Sequence, residues 1–411
     1  MMRKLILLLA IISTQLQAQD TVGVSMGAGY GDKVFYSLKN GVVGTSTNNN
    51  WDIAFAVYTT QTASIIINGG FGAALYQYTA GDTSEWATLD TAGLHDLSNY
   101  EACFDSEESY EPSAFEFNAT GHPNYGWGIY NNISHNVVGV KLFLVKTVAG
   151  DFKKVWVKNQ KASQNSVTIA VANLDNSNEY TKTISKAVGS KNYLYMNLET
   201  ESVFDVEPSN QTYDLIFTKY IAALGPGSFY PVTGVVANRN VGIAEMRGMP
   251  VGEASLLDAN FSDNIAEIGS DWKSFNMTTF TYELDDSLSF FVEDLSGNTH
   301  QIWFTGFEGS STGNIEFVQR QVGFVGIDET SVQKNDFNLY PNPAKNNVMV
   351  EIANQAGNAT ISVYDFTGKM VKNQMVNSPL EVINISNLSS GIYIMSLESE
   401  YGISTQKLIV E

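Results

Sequence analysis

Trp51-Asp52-Ile53-Ala54-Phe55-Ala56-Val57-Tyr58 returns 162 residues later as Tyr213-Asp214-Leu215-Ile216-Phe217-Thr218-Lys219-Tyr220. Both stretches are an aromatic-Asp-x-x-Phe-x-x-Tyr core, rich in aromatic and aliphatic residues and of strand length. Upstream, Phe35-Tyr36-Ser37-Leu38 is echoed by Tyr195-Met196-Asn197-Leu198. Downstream, Ile65-Ile66-Ile67-Asn68-Gly69 aligns with Val235-Val236-Ala237-Asn238-Arg239. Further on, Val145 through Gly150 to Trp156 aligns with Val292 through Gly297 to Trp303, glycine and tryptophan sharing one offset of 147 residues. Blocks recurring in the same order mark an internal duplication. The changing offset places insertions at about Thr91–His135 in copy one and at Gly225-Pro226-Gly227-Ser228 in copy two.

Between these blocks the chain is punctuated by Gly, Asn, Ser and Thr clusters such as Thr45-Ser46-Thr47-Asn48-Asn49-Asn50, without heptads or a long amphipathic helix. This spacing predicts an all-β architecture. The expected organisation is two tandem β-rich domains, residues 19–180 and 181–326, with a linker at 327–336 and a small immunoglobulin-like β-sandwich at 337–411. Composition agrees with folded modules: hydrophobic residues make up 44% and aromatic residues 12%, while only 16% are charged against ~25% in average soluble domains. A net charge of −20 repels phosphate backbones, so no nucleic-acid partner is expected. The one cysteine excludes an intramolecular disulfide framework and a Cys-based zinc site.

The ends carry addresses. Arg3-Lys4, the apolar run Leu5 to Ile12 and a small residue at Ala18 read as a secretory signal peptide over 1–18. Eight apolar residues are too few to cross ~30 Å of hydrocarbon, so no transmembrane segment is expected. At the other end stand Tyr340-Pro341-Asn342-Pro343, then Val363-Tyr364-Asp365-Phe366-Thr367-Gly368-Lys369, Leu388-Ser389-Ser390-Gly391-Ile392-Tyr393, and Lys407-Leu408-Ile409-Val410. These are alternating strands broken by turn residues. In this order they resemble a type A C-terminal sorting domain of the type IX secretion system, over about 335–411. The resemblance implies passage across the outer membrane, with the type IX machinery as partner and a secreted or cell-surface destination. Tyr340, Pro341, Asn342, Pro343, Gly368, Lys369, Gly391, Tyr393 and Lys407 carry the motif.

The duplicated region in turn resembles the HmuY family of secreted or surface all-β proteins first known for binding haem. The likeness rests on Tyr36-Ser37-Leu38 and Trp51 to Phe55, on Glu207-Pro208 and Tyr213 to Tyr220, and on Phe291-Val292, Gly297, Ile302-Trp303-Phe304 and Gly309 to Phe317. It implies a non-catalytic binding protein with haem as cofactor and haem or a haem-carrying protein as partner. Haem needs imidazole or soft axial ligands in an apolar, aromatic cleft. The candidates are His122 and His135 in the first insertion, beside Tyr110, Tyr125, Trp127 and Tyr130, and Met246 and Met249 in copy two. His95 also falls in the insertion. His300 aligns with Lys153 and is expected at an exposed strand position. The rival reading keeps the scaffold but binds protein or glycan as a surface adhesion module.

An enzyme is not expected. Gly309-Ser310-Ser311-Thr312-Gly313 fits Gly-x-Ser-x-Gly, yet a strand rather than a helix follows and no histidine lies downstream. It reads as a β-turn. Asp258-Ala259-Asn260-Phe261-Ser262-Asp263 lacks the glycine and closing acid of a calcium loop. Glu107-Glu108-Ser109-Tyr110-Glu111 reads as an exposed loop face, and Cys103 as a buried or idle thiol.

Overall fold

The computed structural model describes residues 20–411 apart from 92–95, 187–188, 226–227, 325–336, 353–358, 366–368 and 400–401. The expected signal segment, the linker, His95 and Gly368 lie outside the described residues. Two compact units emerge, Met1–Val325 and Gly326–Glu411. The architecture is all-β, as the alternating patterns predict, with only short 3-10 turns besides strands among the described residues.

In the first unit, β1 (Asp20–Ser25), β2 (Asp32–Ser37) and β3 (Gly41–Thr47) come first. Next are β4 (Ile53–Ala56), β5 (Ile65–Ile67), β6 (Ala74–Tyr78), β7 (Tyr100–Cys103), β8 (Gly128–Asn131) and β9 (Asn136–Gly139). They lead into β10 (Phe143–Lys146), β11 (Phe152–Lys161), β12 (Ser166–Asn173), β13 (Tyr180–Ser185), β14 (Tyr193–Met196) and β15 (Val203–Phe204). The rest comprises β16 (Leu215–Gly225), β17 (Ser228–Ala237), β18 (Gly242–Arg247), β19 (Lys273–Asn276), β20 (Thr281–Leu284), β21 (Leu288–Glu293), β22 (Asn298–Phe307) and β23 (Asn314–Phe324).

These strands make two sandwich lobes. The sheet β15-β14-β4-β5 and the sheet built on β13-β12-β11-β10-β6-β7 share one core, which holds Phe55, Leu75, Phe143, Val155, Ile169 and Leu194. The sheets β17-β16-β2-β3 and β1-β23-β22-β21-β18 enclose another, with Val24, Tyr36, Phe217, Val292, Ile302 and Phe317. Alternation along each strand sends every second side chain inward. Ile53 and Phe55 enter the first core, while Ala54 and Ala56 point to the opposite face.

The lobes do not coincide with the sequence copies. Strand β14 belongs to copy two but pairs with β4 of copy one, Leu194 opposite Phe55 and Met196 opposite Ile53. Strand β2 of copy one pairs with β16 of copy two, Phe35 opposite Ile216. Each copy lends its opening strands to the other, since β1 also pairs with β23 and β13 with β12. The first lobe is therefore one continuous stretch, β4 to β15, set between the two parts of the second lobe. The copy boundary at 180/181 runs through the start of β13.

The duplicated aspartates fix this exchange. Asp52 accepts the backbone N–H of Leu198 (2.8 Å) and of Val148 (2.8 Å). Asp214 does the same for Leu38 (2.8 Å) and Leu295 (3.0 Å). Their own N–H groups donate to Met196 and Tyr36 carbonyls, each at 2.8 Å. Asn68 Nδ2 donates to the Asn48 and Trp51 carbonyls, and Asn238 Nδ2 to the equivalent Asn210 and Tyr213 carbonyls. Burial raises the carboxyl of both aspartates and the backbone donors oppose it, so both side chains are held by their bonds rather than by water.

The second unit is a small β-sandwich. It comprises β24 (Phe337–Tyr340), β25 (Asn347–Ile352), β26 (Ala359–Tyr364), β27 (Met370–Val376), β28 (Leu380–Asn384), β29 (Gly391–Ser399) and β30 (Gly402–Val410). The sheets β24-β25-β28 and β27-β26-β29-β30 close over Val348, Val350, Ile361, Val363, Met395 and Leu408.

Candidate functional site

Where β4 and β14 turn their outer faces toward β2 and β16, each lobe presents an aromatic pair to the other. Trp51 packs edge-on to Tyr195 at 4.8 Å between ring centroids, and Phe35 to Tyr213 at 4.9 Å. The repeat thus places the same edge-to-face pair twice. Beside them lies a cavity of about 380 Å³, within the ~300–1,000 Å³ usual for small-molecule sites. Ile66, Tyr76, Phe104, Ile216, Phe229 and Val236 supply its apolar walls.

The first insertion closes one side of this cavity. Phe104 stacks on Phe229 of the β16–β17 hairpin, 3.7 Å between centroids and 11° between planes. Tyr110 donates its hydroxyl to the Ala237 carbonyl at 3.1 Å. The Ala223 N–H donates to Glu107 Oε2 at 2.8 Å, and the Ile265 N–H to the Glu108 carbonyl at 3.0 Å. The segment expected to be an exposed loop face is instead partly a brace, because Glu107 and Tyr110 find their partners on the other lobe. Asp105, also on the wall, accepts the N–H groups of Ile67 (3.0 Å) and Ala114 (2.7 Å). Burial pushes its carboxyl up to about 7.

One end of the cavity is polar. Lys33 Nζ, on β2, donates to the Tyr195 hydroxyl at 3.1 Å, and Tyr195 in turn donates to Glu207 Oε1. Glu207 Oε2 also accepts the backbone N–H groups of Asn192 (2.8 Å) and Tyr193 (3.1 Å). Lys33 is only 9% exposed and Glu207 3%. Burial pushes the Lys33 ammonium down to about 8, with the Glu207 charge pulling the other way. The same burial raises the Glu207 carboxyl, and Lys33 and its three donors oppose that rise. Two ionisable groups taken from water stay buried here because they are paired through a tyrosine.

The histidines and methionines singled out from sequence do not line this cavity. His122 and His135 are exposed and gather about Tyr130. The His122 ring lies 4.7 Å from that of Tyr130, and the Tyr130 hydroxyl meets His135 Nδ1 at 2.8 Å. Met246, on β18, is buried with Ala244 and Phe291, and Met249 packs against the same cluster. His300 corrects the expectation of an exposed position: it is 7% exposed, with Nε2 3.3 Å from Asp294 Oδ2. The reason is that β22 is an interior strand, flanked by β21 and β23. Its counterpart Lys153 is likewise buried and paired with Glu199 at 2.6 Å. Ser311 sits in a 3-10 turn between β22 and β23, donating to the Glu308 carbonyl at 3.2 Å. Cys103 is buried, and burial pushes its thiol up to about 12. Among the described residues no three acidic, histidine or cysteine side chains cluster as metal ligands.

Sequence reasoning missed Lys33 and Glu207 as site residues. A signal for Lys33 existed. Extending the Phe35/Tyr195 alignment two residues back sets Lys33 opposite Tyr193, a cation where the other copy keeps an aromatic ring in the same strand.

In the C-terminal unit the quoted motifs converge. Asn342 donates Nδ2 to the Lys407 carbonyl at 2.6 Å and accepts the Ile409 N–H at 2.8 Å. Ala344 bridges Val410, so the Tyr340-Pro341-Asn342-Pro343 start is stitched to the final strand. Asp365 and Lys369 close the β26–β27 turn, the Asp365 N–H donating to the Lys369 carbonyl at 3.0 Å. Tyr393, on β29 two residues after Gly391, donates to the Ser389 carbonyl at 2.8 Å. The family model for the secretion system C-terminal sorting domain matches residues 338–411. These residues are a type IX sorting domain. The chain is thereby marked for export through the outer membrane, to the cell surface or the medium, and no helix among the described residues is long and apolar enough to cross a membrane. A further similarity is to the β-agarase A of Zobellia galactanivorans, 32% identical over 83 residues, 20% of this chain and 14% of the agarase. PorZ, an essential surface component of the type IX system of Porphyromonas gingivalis, aligns at 12% identity over 69% of this chain and 44% of its own. Its TM-score of 0.17 is too low to bear on fold or function. The chain covers less than half the length of either relative.

Proposed function

We propose that the cargo ahead of the sorting domain is a non-catalytic binding protein that takes a small, largely apolar molecule into the cavity between its lobes. The observation that carries this reading is the 380 Å³ space walled by aliphatic and aromatic side chains, with a buried polar cluster at one end. Apolar walls supply affinity and a few fixed polar groups supply orientation. The test is titration of the mature protein with Nile red, alone and as Ala74→Trp. Ala74 lines the cavity from β6 while its neighbour Leu75 faces the lobe core, so the new ring fills the site and spares the core. Saturable fluorescence that disappears in the variant supports the reading. No saturable signal, or an unchanged one in Ala74→Trp, overturns it.

The HmuY resemblance adds haem as a second reading, favoured by the meeting of His122 and His135 at Tyr130. Hemin titration separates the two. A Soret shift abolished by His122→Ala or His135→Ala supports haem at that exposed site. A shift lost in Ala74→Trp assigns haem to the cavity. An unchanged hemin spectrum at micromolar protein removes haem.

A further inference from the structure

The polar end of the cavity is unevenly satisfied. Glu207 accepts three protein donors, Asp105 two and Glu107 one. Lys33, which carries three N–H groups, spends one of them on Tyr195 and meets no other acceptor among the described residues. It also lies over the rings of Trp51 at 5.2 Å and Tyr195 at 4.6 Å. Lys219, the other cavity-lining lysine, lies over the Phe71 ring at 4.5 Å and has no described acceptor for its ammonium. The acids on the wall are bonded while the cations keep donors to spare.

Resting on the cavity reading above, we infer that its ligand is a small apolar molecule ending in a carboxylate, and that Lys33 is the anchor for that group. A carboxylate brings acceptors to a buried ammonium, and a charge-assisted bond is roughly twice as strong as a neutral one. The Glu207 carboxylate does not take this place. Its oxygens are occupied by backbone and tyrosine donors, and Lys33 reaches it through the Tyr195 hydroxyl. The aliphatic and aromatic walls then cover the rest of the ligand.

The experiment is calorimetric titration of the mature full-length protein at pH 7 with sodium decanoate and with 1-decanol, which share the apolar chain and differ in the end group. Decanoate is expected to bind about 10-fold or more tightly than decanol, as hydrogen bonds to charged groups require. Lys33→Met removes that preference, whereas Lys33→Arg keeps it. Equal binding of acid and alcohol by the wild type, or a preference that survives Lys33→Met, overturns the anchor and leaves the cavity reading standing. Binding of neither overturns both. Should Lys33→Met fail to fold with Glu207 unpaired, the double variant Lys33→Met/Glu207→Gln removes both charges, and the acid–alcohol comparison in the wild type needs no variant.

Discussion

Cutting the cargo along its copies and cutting it along its lobes give opposite outcomes. Residues 20–180 are one whole sequence copy, but they lack β14 and with it Leu194, Met196 and Leu198, which are 6%, 0% and 1% exposed in the first core. Each such side chain contributes ~1.5–3 kcal/mol when buried, so the cut forfeits roughly 5–9 kcal/mol. It also strands the Leu198 bond to Asp52 and leaves one edge of β4 unpaired. A domain's total stability is only ~5–15 kcal/mol, and the copy is expected to be unfolded at 25 °C. Residues 49–208, by contrast, keep every strand from β4 to β15 and the complete first core, at the cost of exposing Trp51, Tyr193 and Tyr195. Urea titration followed by far-UV circular dichroism and by fluorescence of the buried Trp127 reads the outcome. The 49–208 fragment gives one cooperative transition and 20–180 gives none, while mixing 20–180 with 181–326 restores structure by returning the lent strands. A cooperative transition for 20–180 alone, with a midpoint equal to that of 49–208, would falsify the exchange.

The paired aspartates make a second prediction: Asp52→Asn and Asp214→Asn each weaken one of two matched acceptor sites. Both should cost about 1–3 kcal/mol in urea unfolding, and costs differing by more than ~2 kcal/mol would show that the two clamps are not equivalent. Removal of residues 338–411 should leave the protein in the periplasm on cell fractionation. Its continued appearance at the surface or in the medium would mean that export does not depend on the sorting domain.

Much of the fold could be read from the chain because β-structure writes itself locally. Alternating apolar positions in Ile53 to Val57 and turn clusters such as Thr45 to Asn50 announce strands and their ends, and the sorting motifs lie within short segments. The choice of partner is different. Nothing in Phe35-Tyr36-Ser37-Leu38 says that its neighbour is Leu215 to Phe217 instead of the nearer Ile53 to Phe55, since the two targets carry nearly the same side chains. Duplication makes partner and alternative look alike, so strand exchange is invisible to pattern reading. The cavity was hidden for the same reason: its walls are the outer faces of strands from both copies. Histidines are conspicuous in a sequence because their chemistry can be read in isolation. The burial of Lys33 depends on the other lobe, whose Trp51 and Tyr195 rings lie over its ammonium.

The pairing of β1 with β23, Asp20 opposite Gln319, also sets a schedule. A chain delivered from its amino end presents the opening strand of the second lobe first and the strand that seals it last, with the whole of the other lobe in between. The inner lobe can close early because all its strands are contiguous, whereas the outer one must keep a hydrophobic sheet unsealed until the last cargo strand has emerged. That waiting interval is the time in which a chaperone or a narrow conduit has most to grip.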